Sequence, residues 1–266
     1  GAPPAKPAGD AADEASITKR YPAAGDIEKG AKSSKMELKV DVNGKETNVT
    51  ETEDVERTEE CLAIGEKQCT KVKVSFTKYE KKKLIDGKEK PAPAPAVGKS
   101  YVVERKGDEL TVTYEDGSAV PGDELGELKK MYKRFGKHKD VAAALPDKVK
   151  VGDSLDALAK VLGDEMSGSG DEGDAGRKVE AKAKVKSIRE EGGKKILTID
   201  LEMTMTGDDP KGGNIKIAAK GTVDVRADIG QPVALDMSGP IELVLPKDAG
   251  KGTGKMAEKM TASYSF

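Results

Sequence analysis

Cys61 and Cys69 are the residues of this chain whose chemistry depends most directly on their spacing. They flank the segment Leu-Ala-Ile-Gly-Glu-Lys-Gln, and strand-like runs lie on both sides of it. The spacing matches neither a CxxC redox motif nor a zinc motif, and the single histidine, His138, cannot complete a zinc site. We therefore expect a disulfide across a hairpin, with two free buried thiols as the alternative, and no metal or cofactor. A disulfide indicates a compartment outside the cytosol.

A second candidate for chemistry is the motif Gly152-Asp153-Ser154-Leu155. It resembles the signature of the GDSL esterases and lipases, in which the serine is the acyl nucleophile and a histidine activates it. A serine nucleophile needs a positioned base and an oxyanion hole. Here the motif lies in mid-chain, no Asp-x-x-His follows it, and His138 precedes it in a Lys-His-Lys context. We expect Asp153 to cap a helix and the protein to be no enzyme, with a GDSL-type esterase as an alternative.

Charge and composition limit the other functions. The 46 basic and 48 acidic side chains nearly cancel, and aromatic residues make up 3% of the chain. A basic field and stacking platforms for bases are therefore missing, and we expect no nucleic-acid partner. Adjacent carboxylates such as Glu59-Glu60 point to opposite faces of a strand, so they predict no acid/base pair.

The second half of the chain consists of runs in which apolar and polar residues alternate, separated by turn sequences rich in glycine, aspartate and proline. Leu197, Ile199, Leu201, Met203 and Met205 form one such run. Strands joined by short turns are antiparallel neighbours. The predicted fold class is α+β but mostly β: a large curved antiparallel sheet, a meander of long strands, with about three short central helices packed on one face.

The first half predicts hairpins and a change of period. Val42-Asn43-Gly44-Lys45 is typical of a two-residue hairpin turn, and the Thr-rich and charged return strand over 46–58 is expected at an edge or facing solvent. Helical spacing then begins at Asp123 and predicts a helix that ends before Gly136, a short helix over 140–145, and a third from about Ser154 to Gly163.

The domain organisation follows from these runs. Residues 1–16 form an Ala/Pro-rich stretch that we expect to be a disordered tether. Residues 17–266 form a single antiparallel-sheet domain with helices at about 123–163 and flexible loops at about 86–98 and 163–177. No apolar run is long enough to span a membrane, so membrane association is expected only through an N-terminal anchor lost from before Gly1.

The order of elements and the run Gly-Gln-Pro-Val-Ala-Leu-Asp-Met-Ser-Gly over 230–239 resemble uncharacterised secreted bacterial lipoproteins that carry a domain-of-unknown-function label. More distantly, the element order resembles the architecture of periplasmic lipoprotein carriers and mycobacterial-type lipid carriers. That resemblance implies a strongly curved sheet with helices on its concave side and an exported protein of the periplasm or cell surface.

Our hypothesis is a non-enzymatic, envelope-associated binding protein that carries a lipid or another hydrophobic ligand. The aliphatic faces of the strands are large for three short helices to cover, and methionine supplies adaptable walls. The alternatives are that the same side chains are simply core, or that the protein is a structural or protein-interaction module tethered to the envelope, with an envelope protein as its partner. The candidate cavity lining is Leu201, Met203, Met205, Leu235, Met237 and Leu243.

Overall fold

The computed structural model describes residues 13–137, 141–167, 177–208, 213–246 and 249–266. The strands described are β1 (Glu14–Ser16), β2 (Ile27–Val42), β3 (Lys45–Gly65), β4 (Gln68–Ile85), β5 (Lys88–Lys90), β6 (Ser100–Lys106), β7 (Glu109–Tyr114), β8 (Lys148–Lys150), β9 (Arg177–Glu191), β10 (Lys194–Asp208), β11 (Asn214–Arg226), β12 (Gln231–Val244) and β13 (Gly250–Ser265). The helices described are α1 (Gly122–Met131), α2 (Val141–Ala144) and α3 (Asp156–Ser167).

One antiparallel sheet of 11 strands dominates the fold, which confirms the predicted class of a mostly β protein with a large antiparallel sheet and few helices. Its order is β7-β6-β4-β3-β2-β13-β12-β11-β10-β9, and β5 pairs with β4. The first half of the chain builds outward from β2 to one edge. The chain then crosses to the other edge through the helices, and the second half returns from β9 to β13, which pairs with β2.

Tight turns set the register of the central hairpin. Asn43 and Gly44 have φ angles of 52° and 79° between β2 and β3, the positive values that a type I′ turn requires. Asparagine and glycine tolerate these angles, and the pairing runs from Val42↔Lys45 to Ile27↔Glu60. The predicted hairpin turn is therefore confirmed.

The apolar core is divided into two clusters at opposite ends of the sheet. In one, Leu158 of α3 packs with Ile199 of β10 and other side chains of β9–β12. In the other, Leu128 of α1 packs with Val74 of β4 and Tyr101 of β6. None of the buried hydrophobic side chains lies on β2 or β13, two strands that the structure describes in full. The middle of the sheet is therefore left outside both cores.

Two helix boundaries differ from the prediction. The first helix ends at Met131, and turns rather than helix lead to Gly136. The third helix passes through Gly163 and ends at Ser167. Gly163 faces β9, where a Cβ atom would lie 3.6 Å from the carbonyl oxygen of Val179, an ordinary van der Waals distance, and it does not stop the helix.

Three other boundaries also need correction. β3, expected at an edge or facing solvent, lies inside the sheet between β2 and β4. Residues 14–16, assigned to the tether, form β1 and pair with β8, and the segment 86–98 contains β5. Residues 1–12 and 168–176, which include most of the predicted tether and of the second flexible loop, lie outside the described residues.

Both edges of the sheet are partly covered. On β9, the N–H of Val185 donates to the carbonyl oxygen of Asp153 at 2.9 Å, and the N–H of Gly152 donates to the carbonyl oxygen of Val185 at 2.8 Å. On β7, the N–H of Tyr114 donates to the carbonyl oxygen of Ser118 at 3.0 Å. Such cover blocks the addition of a further strand over these stretches.

Every helix in the described ranges is too short or too polar to cross a membrane.

The predicted disulfide is present between Cys61 and Cys69, with Cα atoms 5.9 Å apart, across the turn that joins β3 to β4. We expect the double substitution Cys61→Ala/Cys69→Ala to lower the free energy of unfolding by about 2 to 3 kcal/mol, because the unfolded chain loses a short closed loop. Urea unfolding followed by far-ultraviolet circular dichroism measures the change.

A reductant provides the control for this prediction. It should destabilise the wild-type protein by a similar amount and leave the Cys61→Ala/Cys69→Ala variant unaffected. Equal stability of the oxidised wild type and the variant would contradict the assigned role of the disulfide.

Candidate ligand-binding site

A row of directly paired residues crosses the sheet and shows what lies between the two cores. Directly opposed residues of antiparallel strands project from the same face. The side chains are buried at both ends of the row but only half-buried at Lys32, Met260 and Leu235 in its middle. The row is Tyr79, Val55, Lys32, Met260, Leu235, Val223, Ile199 and Val185.

The gap in this row is a cavity of 790 Å³, here called the central groove. Strands β2, β3, β4 and β13 contribute to it, together with α1 and the turns that follow α1. The lining residues are both charged and apolar. Those used below are Glu28, Lys32, Glu53, Val55, Arg57, Glu59, Lys81, Glu127, Met131, Tyr132, Phe135, Val141, Gln231, Pro232, Glu258 and Met260.

Ion pairs connect the elements around one end of the groove. The Nζ atom of Lys32 lies 3.1 Å from Glu53 of β3 and 3.8 Å from Glu258 of β13. Lys81 of β4 lies 2.9 Å from Glu127 of α1. Burial acts to raise the pKa of Glu127, but hydrogen bonds from Lys130 and Lys81 outweigh it and hold this pKa below its usual value. The Glu127 carboxylate is therefore charged at pH 7 and is neutralised by its lysine partners.

A more enclosed cluster lies at the other end, on β2 and β3. Arg57 donates to Glu59 at 2.6 Å, and the Tyr132 hydroxyl donates to the same carboxylate at 2.6 Å. Arg57 and Glu59 are 21% and 17% exposed. Within the part of the chain that the structure describes, Glu28 accepts no hydrogen bond. Burial, and then the negative charge of Glu59, raise the pKa of Glu28 to about 7, against the opposing attraction of Arg57.

A second cavity of 160 Å³ adjoins this cluster, and we call it the aromatic pocket. Of the six Tyr and three Phe of the chain, four line it. The Tyr264 and Phe266 rings are stacked, with centroids 6.3 Å apart. The lining residues are Arg20, Tyr21, Pro22, Asp26, Ile27, Glu28, Glu59, Cys61, Cys69, Val72, Phe135, Gln231, Tyr264 and Phe266.

Cations of the chain itself already contact two of these rings. The Arg20 guanidinium carbon lies 3.7 Å from the centroid of the Phe266 ring, and Lys67 Nζ lies 4.6 Å from that of Tyr21. Arg20 is also held by Asp26 through two hydrogen bonds of 2.9 Å. The pocket shares Glu28, Glu59 and Phe135, among others, with the central groove, so the two cavities form one site.

The six residues predicted to line a cavity lie elsewhere. Leu201, Met203 and Met237 are buried in the core cluster beneath α3, and Leu235 packs against that cluster. Met205 and Leu243 are half-buried on β10 and β12. All six are absent from the linings of the central groove and the aromatic pocket.

Within the described residues, the serine of the GDSL-like motif contacts a carboxylate. The Ser154 hydroxyl donates to Asp156 at 2.6 Å, and its backbone pairs with Lys184 of β9. Asp153 does not cap α3 as expected, because its carboxylate accepts from the N–H of Lys150 at 2.7 Å. At the start of the helix, the N–H of Ala159 donates to the carbonyl oxygen of Leu155 at 2.9 Å. His138 lies outside the described residues. In the described ranges no cluster of His, Cys, Asp or Glu could hold a metal ion.

The residues of the site were missed because their charges were attributed to solvent-facing positions. A usable signal was present in β3, where Glu53, Arg57 and Glu59 share their parity with Val55 and Cys61. Residues of one parity share one face of a strand, so a buried Val55 places these charges on the covered face. Glu60, of the other parity, pairs with Lys73 at 2.7 Å on the opposite face, as the alternation predicts.

Comparisons with known proteins add little to this description. A scan against models of protein families and a search of curated proteins found no match. Among solved structures, the chain matches a DUF1329 family protein from Desulfovibrio piger, with 10% identity over 92% of this chain and 86% of that one. The TM-score of 0.22 is too low to support an inference about fold or function.

Proposed function

We propose that the protein is a non-enzymatic binding protein that holds a small amphipathic ligand in the central groove. The observation that carries this proposal is the cavity of 790 Å³ between the two core clusters. Pockets for small molecules commonly have about 300 to 1,000 Å³, and they form where packed elements leave a gap. In this proposal the helices pack on one face of a curved sheet and leave its middle open to the ligand.

The lining supports a ligand with both an apolar and a polar part. Met131, Val141, Pro232 and Met260 offer apolar contacts, and methionine adapts to chains of different shape. Most charged residues of the groove are paired with one another, as Lys32 is with Glu53, so the polar wall carries little net charge. A lipid or a similar amphiphile fits this combination.

We place the protein in the periplasm or at the cell surface, tethered to the envelope. The disulfide between Cys61 and Cys69 supports this location, because such bonds persist in oxidising compartments. A carrier located there would collect a hydrophobic molecule from the envelope and shield its tail from water.

Isothermal titration with 1-decanoylglycerol, a neutral amphiphile, tests the proposal. We expect saturable binding to one site per chain, and native mass spectrometry should detect an adduct that is lost on denaturation. The substitution Met260→Trp places a larger side chain in the groove. It should weaken binding at least about tenfold, because the apolar tail of 1-decanoylglycerol then no longer fits.

Ser263→Trp is the matched control, because Ser263 lies on the same strand, is exposed and has the opposite parity. It should leave the affinity unchanged. An absence of binding in the wild type, or equal binding in both tryptophan variants, would overturn the proposed site.

A further inference from the structure

One carboxylate of the aromatic pocket, that of Glu28, has no basic side chain in contact with it among the described residues. Three carboxylates line it, those of Asp26, Glu28 and Glu59. Asp26 is matched by Arg20, and Glu59 by Arg57 from the central groove. Among the described residues, Glu28 receives no hydrogen bond and forms no ion pair, although it lines both cavities.

The rings around this carboxylate favour cations. The face of an aromatic ring carries partial negative charge and attracts ammonium and guanidinium groups. Arg20 over Phe266 and Lys67 over Tyr21 already use this attraction on the rim of the pocket. Each of these basic groups has its own contact, so neither serves as a counter-ion for Glu28.

We propose that the aromatic pocket binds the cationic head group of the ligand, a protonated amine or a quaternary ammonium, with Glu28 as its counter-ion. This inference rests on the proposed function, since the tail of the same ligand occupies the central groove. The pocket volume of 160 Å³ equals that of about five water molecules, which is room for a small head group.

The protonation of Glu28 makes this recognition depend on pH. Its pKa of about 7 means that the carboxylate is mostly neutral at pH 6 and mostly charged at pH 8. A bound cation favours the charged form, so binding should release protons near neutrality. The charged and titratable groups around Glu28 are Arg57 and Glu59 on β3, Tyr264 on β13, Tyr132 after α1, Arg20 and Asp26 before β2, and Lys67 in the β3–β4 turn.

Three probes with the same ten-carbon tail length test the head-group preference: decyltrimethylammonium, decanoate and 1-decanoylglycerol. At pH 8 we expect the wild type to bind decyltrimethylammonium at least about tenfold more tightly than 1-decanoylglycerol, and decanoate the most weakly. At pH 6 the preference for the cation should shrink, because Glu28 is then largely protonated.

Glu28→Gln is expected to lose the preference for the cation and its pH dependence while keeping its affinity for 1-decanoylglycerol. Glu37→Gln is the control: Glu37 is on the same strand with the opposite parity and contacts Lys35 and Lys255 on the other face. It should retain the preference. A wild type that binds cation and neutral probe equally, or a Glu28→Gln variant that still prefers the cation, refutes this inference and leaves the groove proposal standing. If none of the probes binds, both proposals fail.

Discussion

Replacing Arg57 by methionine is expected to lower the free energy of unfolding by about 3 kcal/mol at pH 8, at the lower end of the range for breaking a buried ion pair. The guanidinium is the only cation that donates to Glu59 in the described structure, and Glu28 is close enough to feel its charge. Without it, two partly buried carboxylates face each other with no counter-charge. Methionine keeps much of the side-chain volume, so the decrease in unfolding free energy reflects the lost charge more than lost packing.

The neighbouring pair Lys73–Glu60 provides the control for this experiment. Both side chains are about one third exposed, and the pair projects from the opposite face of the sheet. Lys73→Met is therefore expected to cost less than about 1 kcal/mol, as exposed ion pairs usually do. Urea unfolding of both variants at pH 8 measures the difference. Equal losses would show that Arg57 does not lie in a special environment.

Replacing Glu28 by glutamine is expected to have the opposite effect and to stabilise the protein at pH 8 by about 3 kcal/mol. The buried carboxyl has a pKa raised from 4.5 to about 7, so its ionisation opposes folding. Below pH 4.5 it is protonated in both states and costs nothing. Between pH 4.5 and about 7 the folded chain keeps a proton that the unfolded chain has released, so the stability of the wild type falls as pH rises.

The difference in unfolding free energy between Glu28→Gln and the wild type should therefore grow from pH 4.5 to pH 8 and then level off. Glu37→Gln should not become more stable than the wild type as pH rises, because its partners Lys35 and Lys255 lower the pKa of Glu37. Combining Glu28→Gln with Arg57→Met should restore part of the stability that Arg57→Met loses. A constant difference across this pH range would mean that Glu28 titrates normally.

Arg57 and Glu28 are neighbours in the site, and they have opposite effects on the stability of the fold. Arg57 stabilises the fold, whereas the charged form of Glu28 costs stability that a glutamine would not cost. A buried carboxylate kept without a partner is typical of a functional position, where stability is sacrificed for binding. The stability gain also ensures that a loss of cation binding in Glu28→Gln cannot be attributed to unfolding.

Local patterns in the sequence determined much of the sheet. Alternation placed strands in the second half, Asn43-Gly44 predicted the first hairpin, and the spacing of Cys61 and Cys69 predicted the disulfide. These predictions succeeded because pleat, turn angles and a short covalent loop depend on residues that are close in sequence. Helix positions were also predicted, but not the end of α3, because the helix continues through Gly163 to Ser167 where it packs beside β9.

The position of the site was decided only by the tertiary structure. The sequence predicted an apolar cavity around Leu201 and Met203, but α3 packs on these strands and makes those side chains core. The return strand β3 was expected at an edge or facing solvent because it is charged, yet it pairs with β2 on one side and with β4 on the other and so lies inside the sheet. The pairing of β2 with β13 joins the two halves of the sheet, and no local pattern encodes which strands meet there. The charges of β3 are tolerated because they pair with one another and with Lys32 of β2 around a groove that lies between the two cores.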